Sequence, residues 1–110
     1  MSTAAASQEP EAVDFTELRR FLMALGDPTR QEIVMALSRE RLNVSELTER
    51  FPLSRPAMSH HLKVLAQGGL LVQERRGRER VYRVNVKRCR LLANQLKAFV
   101  ATCCAGAECC

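Results

Sequence analysis

The sequence predicts one small, mainly α-helical domain with a single β-hairpin, ordered as four helices, the hairpin and a final helix. Three observations predict this class. Apolar residues recur with helical spacing from Leu18 to Leu65, glycine and proline interrupt that pattern, and apolar or β-branched runs flank a glycine after Gly69. The 110 residues are the size of one domain, and 46% of them are hydrophobic, which is enough for one core.

The first two predicted helices lie between Asp14 and Leu37. The apolar stripe of the first helix follows the spacing i, i+3, i+4, i+7 and consists of Leu18, Phe21, Leu22 and Leu25. Gly26 ends this helix, and Asp27 caps the next one, with Pro28 at its first position. The predicted buried face of the second helix is Ile33, Val34 and Leu37.

The next two predicted helices are separated by a short turn that contains Pro52. Asn43 caps the third helix, and Glu46 follows three positions later, as in a capping box. Ser54 caps the fourth helix, and the glycine pair that begins at Gly68 ends it. The core stripe of the fourth helix is Met58, Leu62 and Leu65.

After Gly69 the apolar pattern changes its period. The runs 70–72 and 81–84 flank an arginine-rich stretch in which Gly77 supplies the turn of a β-hairpin. A last helix is predicted from about Lys87 to Thr102. Its apolar face is formed by Leu92, Leu96 and Phe99.

Charged side chains are distributed unevenly along the chain. The net charge is +5, but residues 1–53 hold six basic and nine acidic side chains, whereas residues 54–98 hold eleven basic and two acidic ones. Positive charge confined to one part of a chain indicates a polyanion-binding site. A solvated basic surface is the commoner cause of a charge run, and acidic lipid is a further alternative that usually requires a basic amphipathic helix.

The third and fourth predicted helices match a helix-turn-helix, in which the second helix enters the major groove of DNA. Because the apolar stripe of this second helix points inward, the opposite face is predicted to contact DNA through Arg55, Pro56, Ser59, His60 and Lys63. Arg55 can pair with guanine through two hydrogen bonds, whereas Lys63 lies deeper and is expected to meet phosphate. His60 is assigned to DNA rather than to a metal, and His61 to packing at the helix edge.

The hairpin extends the same surface. Four arginines crowd around its turn, where their mutual repulsion opposes folding and a nearby polyanion would relieve it. As a wing, the hairpin would lie along the DNA backbone or reach the minor groove. The DNA-contacting residues predicted in it are Arg76, Arg78 and Arg80.

The segment 53–84 resembles the ArsR/SmtB family of metal-responsive repressors, and the opening 25–37 matches the same family. The signature residues are Ser59, His60, Leu62, Lys63 and Leu65, followed by glycine-leucine and the basic wing. The resemblance covers about residues 15–100 and implies a winged helix-turn-helix homodimer. The first and last helices would hold the dimer together, and it would repress by binding double-stranded operator DNA at an imperfect palindrome. On that alignment Arg55, Ser59 and His60 occupy DNA-contacting positions.

The sequence departs from that family at its metal sites. Founding members carry a Cys-Val-Cys pair at the start of the third helix, where this chain has Asn43 and Ser45, and neither side chain can supply a thiolate. The zinc site that other members build from Asp and His on the last helix is missing, because no histidine follows His61.

Four of the five cysteines fall in the last eight residues, at Cys103, Cys104, Cys109 and Cys110. Clustered thiolates without histidine partners select thiophilic ions. The favoured ligand is As(III) or Sb(III), held by the sulfurs of Cys103, Cys104 and Cys110, with Cys109 able to replace Cys110. Cd(II), Pb(II) or Zn(II) held by four thiolates, and a frayed redox-active tail, are the alternatives. Cys89 is interpreted as a bystander.

Other features of the sequence define the broad class of the protein. The predicted organisation is a disordered tail at 1–12, a DNA-binding and dimerisation domain at 13–102 and a cysteine-rich effector segment at 103–110. An odd cysteine count, with no export signal or membrane-length apolar stretch, favours a cytoplasmic protein. No catalytic motif is present, so we expect a non-enzyme. Two rival classes are a thiol-rich metal-buffering protein and an architectural DNA-binding protein without an effector.

Overall fold

The computed structural model describes residues 15–105 and confirms the mainly helical class with a small β-hairpin. The elements in chain order are α1 Phe15–Leu25, α2 Pro28–Leu37, β1 Leu42–Asn43, α3 Val44–Arg50, α4 Arg55–Gln67, β2 Leu71–Arg76, β3 Glu79–Val84 and α5 Val86–Ala105. The short strand β1 is an addition to the predicted order. No helix within the described range is long and apolar enough to cross a membrane. The predicted tail at 1–12 and the cysteines 109 and 110 lie outside the described residues.

Helix α1 buries only part of its predicted apolar stripe within the single chain. Leu18 and Phe21 are buried, Leu22 is 40% exposed, and Ala24, which is outside the predicted stripe, is also buried. Ala24 is buried because α1 closely approaches the end of α4, where a methyl group at Gly68 would lie 2.8 Å from the Cβ of Ala24. Only a small side chain on α1 fits at this contact.

The helix starts predicted from the sequence are confirmed. The side chain of Asp27 accepts a hydrogen bond from the backbone of Arg30 at 3.0 Å, and that of Ser54 accepts one from Ala57 at 3.2 Å. At the start of α3, Asn43 forms the predicted capping box with Glu46. These caps satisfy backbone N–H groups that have no partner inside the helix.

The core lies between the helices and one face of the sheet. The predicted stripe of α4 is completely buried, with Met58, Leu62 and Leu65 at 0% exposure. In α2, Ile33 and Leu37 are buried and Val34 is half-buried. The same cluster includes Leu47, Leu42, Leu70, Leu71, Tyr82 and Leu92. Removal of this apolar surface from water holds α4 in a fixed orientation.

Three antiparallel strands form the sheet, in the order β1-β3-β2. In the hairpin, Arg76 pairs with Glu79 across a two-residue turn, so the loop is shorter than the predicted stretch. Gly77 has a φ of +65°, while Arg78 has a negative φ, as in the type II′ turns that join twisted strands tightly. On the other edge, β1 pairs Leu42 with Tyr82 and ties the start of α3 to the hairpin.

Helix α5 is longer than predicted. The side chain of Asn85 caps it by accepting a hydrogen bond from the backbone of Arg88 at 3.1 Å. The helix ends at Ala105, three residues beyond the predicted end, so Cys103 and Cys104 are helical. Helix α5 contacts α1 through an ion pair between Arg88 and Glu17 at one end.

Candidate nucleic-acid interface and cysteine pair

Helix α4 presents a polar face opposite its buried stripe. The outward residues predicted to contact DNA are all exposed: Arg55, Pro56, Ser59, His60 and Lys63. The periodicity of the helix explains this arrangement, since the buried residues occupy the opposite side of each turn. Helix α4 itself contains no acidic side chain, so its polar face carries no negative charge of its own.

The first turn of α4 also contacts α3. The Nη1 group of Arg55 donates a hydrogen bond to the hydroxyl of Ser45 at 2.8 Å. Sequence reasoning considered Ser45 only as a position without a thiol and missed this contact. Its outward place in the first turn of α3, across the short turn from Arg55, is the signal that could have identified it.

The wing arginines are exposed, and two of them share a cleft with α3 and α4. Arg76, Arg78 and Arg80 all lie at the surface of the hairpin. A cleft of about 380 Å³ separates the wing turn from the starts of α3 and α4, and it is lined by Asn43, Val44, Ser45, Arg55, Arg78, Glu79 and Arg80. The structure therefore brings Arg55, Arg78 and Arg80 together around one opening. Arg76 and the later residues of α4 lie outside that lining.

In the wing, Glu74 forms salt bridges, whereas the arginines around the turn form none within residues 15–105. The carboxylate of Glu74 in β2 lies 2.6 Å from the Nε of Arg83 in β3 and 3.3 Å from the Nη1 of Arg41. The hydrogen bond from Arg83, with the nearby positive charges, holds the pKa of Glu74 below its ordinary value even though partial burial opposes this. Within residues 15–105 no salt bridge involves the arginines of the turn, which are Arg75, Arg76, Arg78 and Arg80.

His61 lies on a different side of α4 from the predicted interface. It is half-buried, and its Nδ1 is 3.3 Å from the Nη1 of Arg30. The same arginine donates from its Nε to the carbonyl of Ala24 at 2.6 Å, at the end of α1. His61 therefore packs at the edge of α4, as the sequence predicts, while His60 remains exposed.

Cys103 and Cys104 lie in the last turn of α5, where both thiols are free and exposed. Two adjacent exposed thiols are suitable soft donors, but they make only part of the predicted three-sulfur set. Cys109 and Cys110 lie outside the described residues, and the part of the chain that the structure describes holds no group of three His, Cys, Asp or Glu side chains arranged for a metal ion.

Cys89 is placed apart from the pair, near the start of α5. It is half-buried, and its sulfur lies 3.9 Å from the carbonyl oxygen of Leu70. Burial raises the pKa of the Cys89 thiol, which disfavours the thiolate needed for metal binding. The interpretation of Cys89 as a bystander agrees with this environment.

Comparison with known proteins relates these features to a family. The family model described as bacterial regulatory protein, arsR family, matches residues 27–72. An arsenical resistance operon repressor of Staphylococcus xylosus is 36% identical over 73 residues, which are 66% of this chain and 70% of that protein. An HTH-type transcriptional regulator of Mycobacterium tuberculosis is 40% identical over 80 residues, which are 73% of this chain and 75% of that protein.

Solved structures show the same fold. An ArsR-like transcriptional regulator from Rhodococcus superposes with a TM-score of 0.73 at 35% identity, covering 80% of this chain and 83% of that one. A protein domain of Mycobacterium bovis, described as a homodimeric winged helix-turn-helix, superposes with a TM-score of 0.66 at 24% identity. That match covers 93% of this chain and 87% of the other.

Proposed function

The chain belongs to the arsR family of bacterial regulatory proteins, and on this basis we propose that it is a homodimeric repressor that binds operator DNA. We propose further that it releases the operator when As(III) or a similar thiophilic ion binds its C-terminal cysteines. Transcriptional regulation is the function of the family. The operator contacts, the inducing ion and the dimer are the parts proposed for this chain.

The observation that carries the DNA-binding part is the shared cleft between α4 and the wing. Arg55 at the start of α4 and Arg78 and Arg80 on the wing border one opening, so a single stretch of DNA can meet all three guanidinium groups. Arginine suits both bidentate pairing with guanine and contact with phosphate. The proposed contacts are Arg55, Pro56, Ser59 and His60 in the major groove, Lys63 on phosphate, and Arg76, Arg78 and Arg80 along the backbone or minor groove.

The proposed dimer is supported by the apolar residues that remain exposed on α1 and α5. Phe15 and Leu22 on α1 and Leu91, Phe99 and Val100 on α5 are each more than one-third exposed. Large apolar residues on two neighbouring helices are typical of a surface that another subunit covers. For a two-fold dimer formed through this surface to reach successive major grooves, its two α4 helices must lie about 34–36 Å apart. The Mycobacterium bovis structure described as homodimeric has the same fold.

The proposed inducer site is the segment 103–110. Cys103 and Cys104 supply two accessible sulfurs, and Cys109 or Cys110 completes the set. The alternative position at the start of α3 is taken by side chains that lack sulfur and make other contacts, since Asn43 caps the helix and Ser45 accepts from Arg55. As(III), when bound, supplies a centre that prefers three thiolates at once. The name of the Staphylococcus xylosus relative, an arsenical resistance operon repressor, also favours this ion.

The proposed coupling between ion and DNA runs through α5. Phe99 packs against Phe15 of α1, and Cys103 follows Phe99 by four positions, on the same side of the helix. Drawing the thiolates of Cys103, Cys104 and a tail cysteine together would therefore reorganise the end of the α1–α5 surface. A near-complete switch needs the ion to favour the released form by about 5 kcal/mol.

The test is fluorescence anisotropy of a labelled duplex from the chain's own promoter, titrated with arsenite, Cd(II), Zn(II) and peroxide. We expect salt-dependent binding that prefers one palindrome, and release by arsenite. Cys103→Ser and Cys104→Ser should still bind the duplex but should no longer be released. If these variants are still released by arsenite, the cysteine assignment is wrong.

Other outcomes of the same titration identify the alternatives. If Cd(II) or Zn(II) but not arsenite releases the DNA, that ion is the inducer instead of As(III). If only peroxide releases the DNA, the signal is thiol oxidation. A metal-buffering protein would bind several ions per chain and show little affinity for duplex DNA. An architectural protein would bind DNA without preferring the promoter and would ignore every ion.

A further inference from the structure

Asn43 links the helix-turn-helix to the wing. Its Oδ1 accepts a hydrogen bond from the backbone of Glu46 at 2.7 Å, and its own backbone N–H donates to the Glu46 carboxylate at 2.9 Å. These two contacts make the capping box of α3. The remaining polar group of the side chain, Nδ2, donates to the Oε1 of Glu79 at 3.1 Å, 36 residues away at the start of β3.

Glu79 places a negative charge among the arginines of the wing. It stands directly after the wing turn, among Arg76, Arg78 and Arg80, on a surface that the proposed function brings close to phosphate. On electrostatic grounds a carboxylate there opposes binding to a polyanion. Its hydrogen bond with Asn43 gives it a structural role that the charge pattern alone does not explain.

The geometry around Asn43 supports a positioning role. Asn43 pairs with Val81 as part of β1, so the backbone and the side chain of one residue both attach α3 to β3. Two positions later, Ser45 accepts the hydrogen bond from Arg55 at 2.8 Å. The start of α3 therefore contacts both elements that border the cleft, the wing through Glu79 and the start of α4 through Arg55.

Building on the proposed function, we propose that Asn43 is a positioning residue for DNA binding. Through Glu79 it holds the wing turn at the separation from α4 at which Arg55, Arg78 and Arg80 face the same stretch of DNA. The position requires one group that accepts for the cap and one that donates to the wing, and an amide side chain supplies both. An aspartate would cap α3 equally well but would repel Glu79, and a serine would cap without reaching it.

A matched pair of variants at Glu79 tests this role. Glu79→Gln and Glu79→Ala remove the same negative charge, but only glutamine keeps an oxygen that accepts from Asn43. We expect Glu79→Gln to bind the promoter duplex at least as tightly as the wild type, and Glu79→Ala to bind about fivefold more weakly than Glu79→Gln. A purely electrostatic effect of Glu79 makes both variants bind more tightly and equally, and that result overturns the proposal.

Asn43→Ser tests the other partner of the hydrogen bond. It keeps the net charge and a capping hydroxyl, so we expect its thermal stability to stay close to that of the wild type. Its promoter affinity should fall about fivefold, and the slope of log affinity against log salt should flatten by about 2, because two wing arginines no longer meet phosphate. A slope unchanged from the wild type contradicts the positioning role.

The wild-type titration separates the two proposals. If the wild type does not prefer the promoter duplex over unrelated DNA, the proposed function is wrong. If it does, but Asn43→Ser binds with wild-type affinity and salt slope and Glu79→Ala binds as tightly as Glu79→Gln, only the role of Asn43 is wrong. Thermal melts of each variant show whether any loss of binding comes from loss of the folded state instead.

Discussion

Phe99 of α5 packs edge-on against Phe15 of α1, with the ring centroids 5.5 Å apart and the ring planes at 81°. Edge-to-face contacts of this kind stabilise beyond the area that they bury. The pair closes the end of α1 against α5, four residues before the first cysteine of the proposed inducer site. Because Phe99 is still 38% exposed, it is also available to a second subunit.

Replacing Phe99 by alanine should weaken both the fold and the dimer. We expect a loss of about 1–2 kcal/mol in the free energy of unfolding, below the 3–5 kcal/mol of a fully buried phenylalanine because Phe99 is partly exposed. Urea unfolding measures this loss, and sedimentation measures the subunit equilibrium. Phe99→Leu keeps apolar volume but not the aromatic edge, so its free energy of unfolding should lie between those of the wild type and Phe99→Ala. An alanine variant as stable as the wild type contradicts the contact.

Replacing Gly68 by alanine should destabilise the contact between α1 and α4. The added methyl group would lie 2.8 Å from the Cβ of Ala24 and 3.0 Å from the carbonyl oxygen of Arg20, so the helices must separate slightly. We expect the free energy of unfolding to fall by about 1–3 kcal/mol, as measured by thermal unfolding. In the double variant with Ala24→Gly, the total loss should be smaller than the sum of the two single losses. Additive losses would mean that the two positions do not compete for space.

The pairing of Glu74 should make stability depend on pH. The hydrogen bond from Arg83, and the charges of Arg41, Arg83 and Arg76, hold the pKa of Glu74 below its ordinary value of 4.5 in the folded state. The pair therefore stabilises the fold above that ordinary pKa, and its contribution disappears as the pH falls through the lowered pKa. Glu74→Gln should be less stable than the wild type at neutral pH, and the difference should shrink below about pH 4.5.

Urea titrations across this pH range measure the effect of Glu74. Glu49→Gln is the matched control, because Glu49 is exposed and takes part in no salt bridge within residues 15–105. Its stability difference from the wild type should not show the same change with pH. A constant difference for Glu74→Gln at every pH is the result that contradicts the role of Arg83.

Arg55 and Lys63 should affect DNA binding in different ways. Arg55→Ala should weaken operator binding by about 1–3 kcal/mol and relax the sequence preference of the protein, because arginine can pair with a base edge. Lys63→Ala should weaken binding evenly across sequences and reduce the salt slope by about 1. Anisotropy titrations on operator and scrambled duplexes at several salt concentrations separate the two effects. If the Arg55→Ala variant keeps the sequence preference of the wild type, Arg55 does not contact a base.

Much of the fold followed from local patterns in the sequence. The caps at Asp27, Asn43 and Ser54 involve groups three residues apart, and the buried stripe of α4 depends only on helical spacing. Both signals are readable wherever they occur in a chain. The exposure of the predicted DNA-contacting residues followed from the same spacing, since a helix with one buried face has one free face. The burial of Ala24 shows the limit, because the neighbour of α1 decides which of its residues are covered within the subunit.

The sequence by itself determined the helices, the hairpin, the polarity of α4 and the concentration of positive charge, because each depends on residue types within a few positions of one another. Only the tertiary structure decided the pairing of β1 with β3, the placement of Ala24 beneath Gly68, and the meeting of Asn43 with Glu79 and of Arg55 with Ser45. These contacts join residues from different elements, and their existence depends on how the core orients those elements. A two-residue strand such as β1 has too few side chains to show an alternating pattern, so it exists only where β3 offers it an edge.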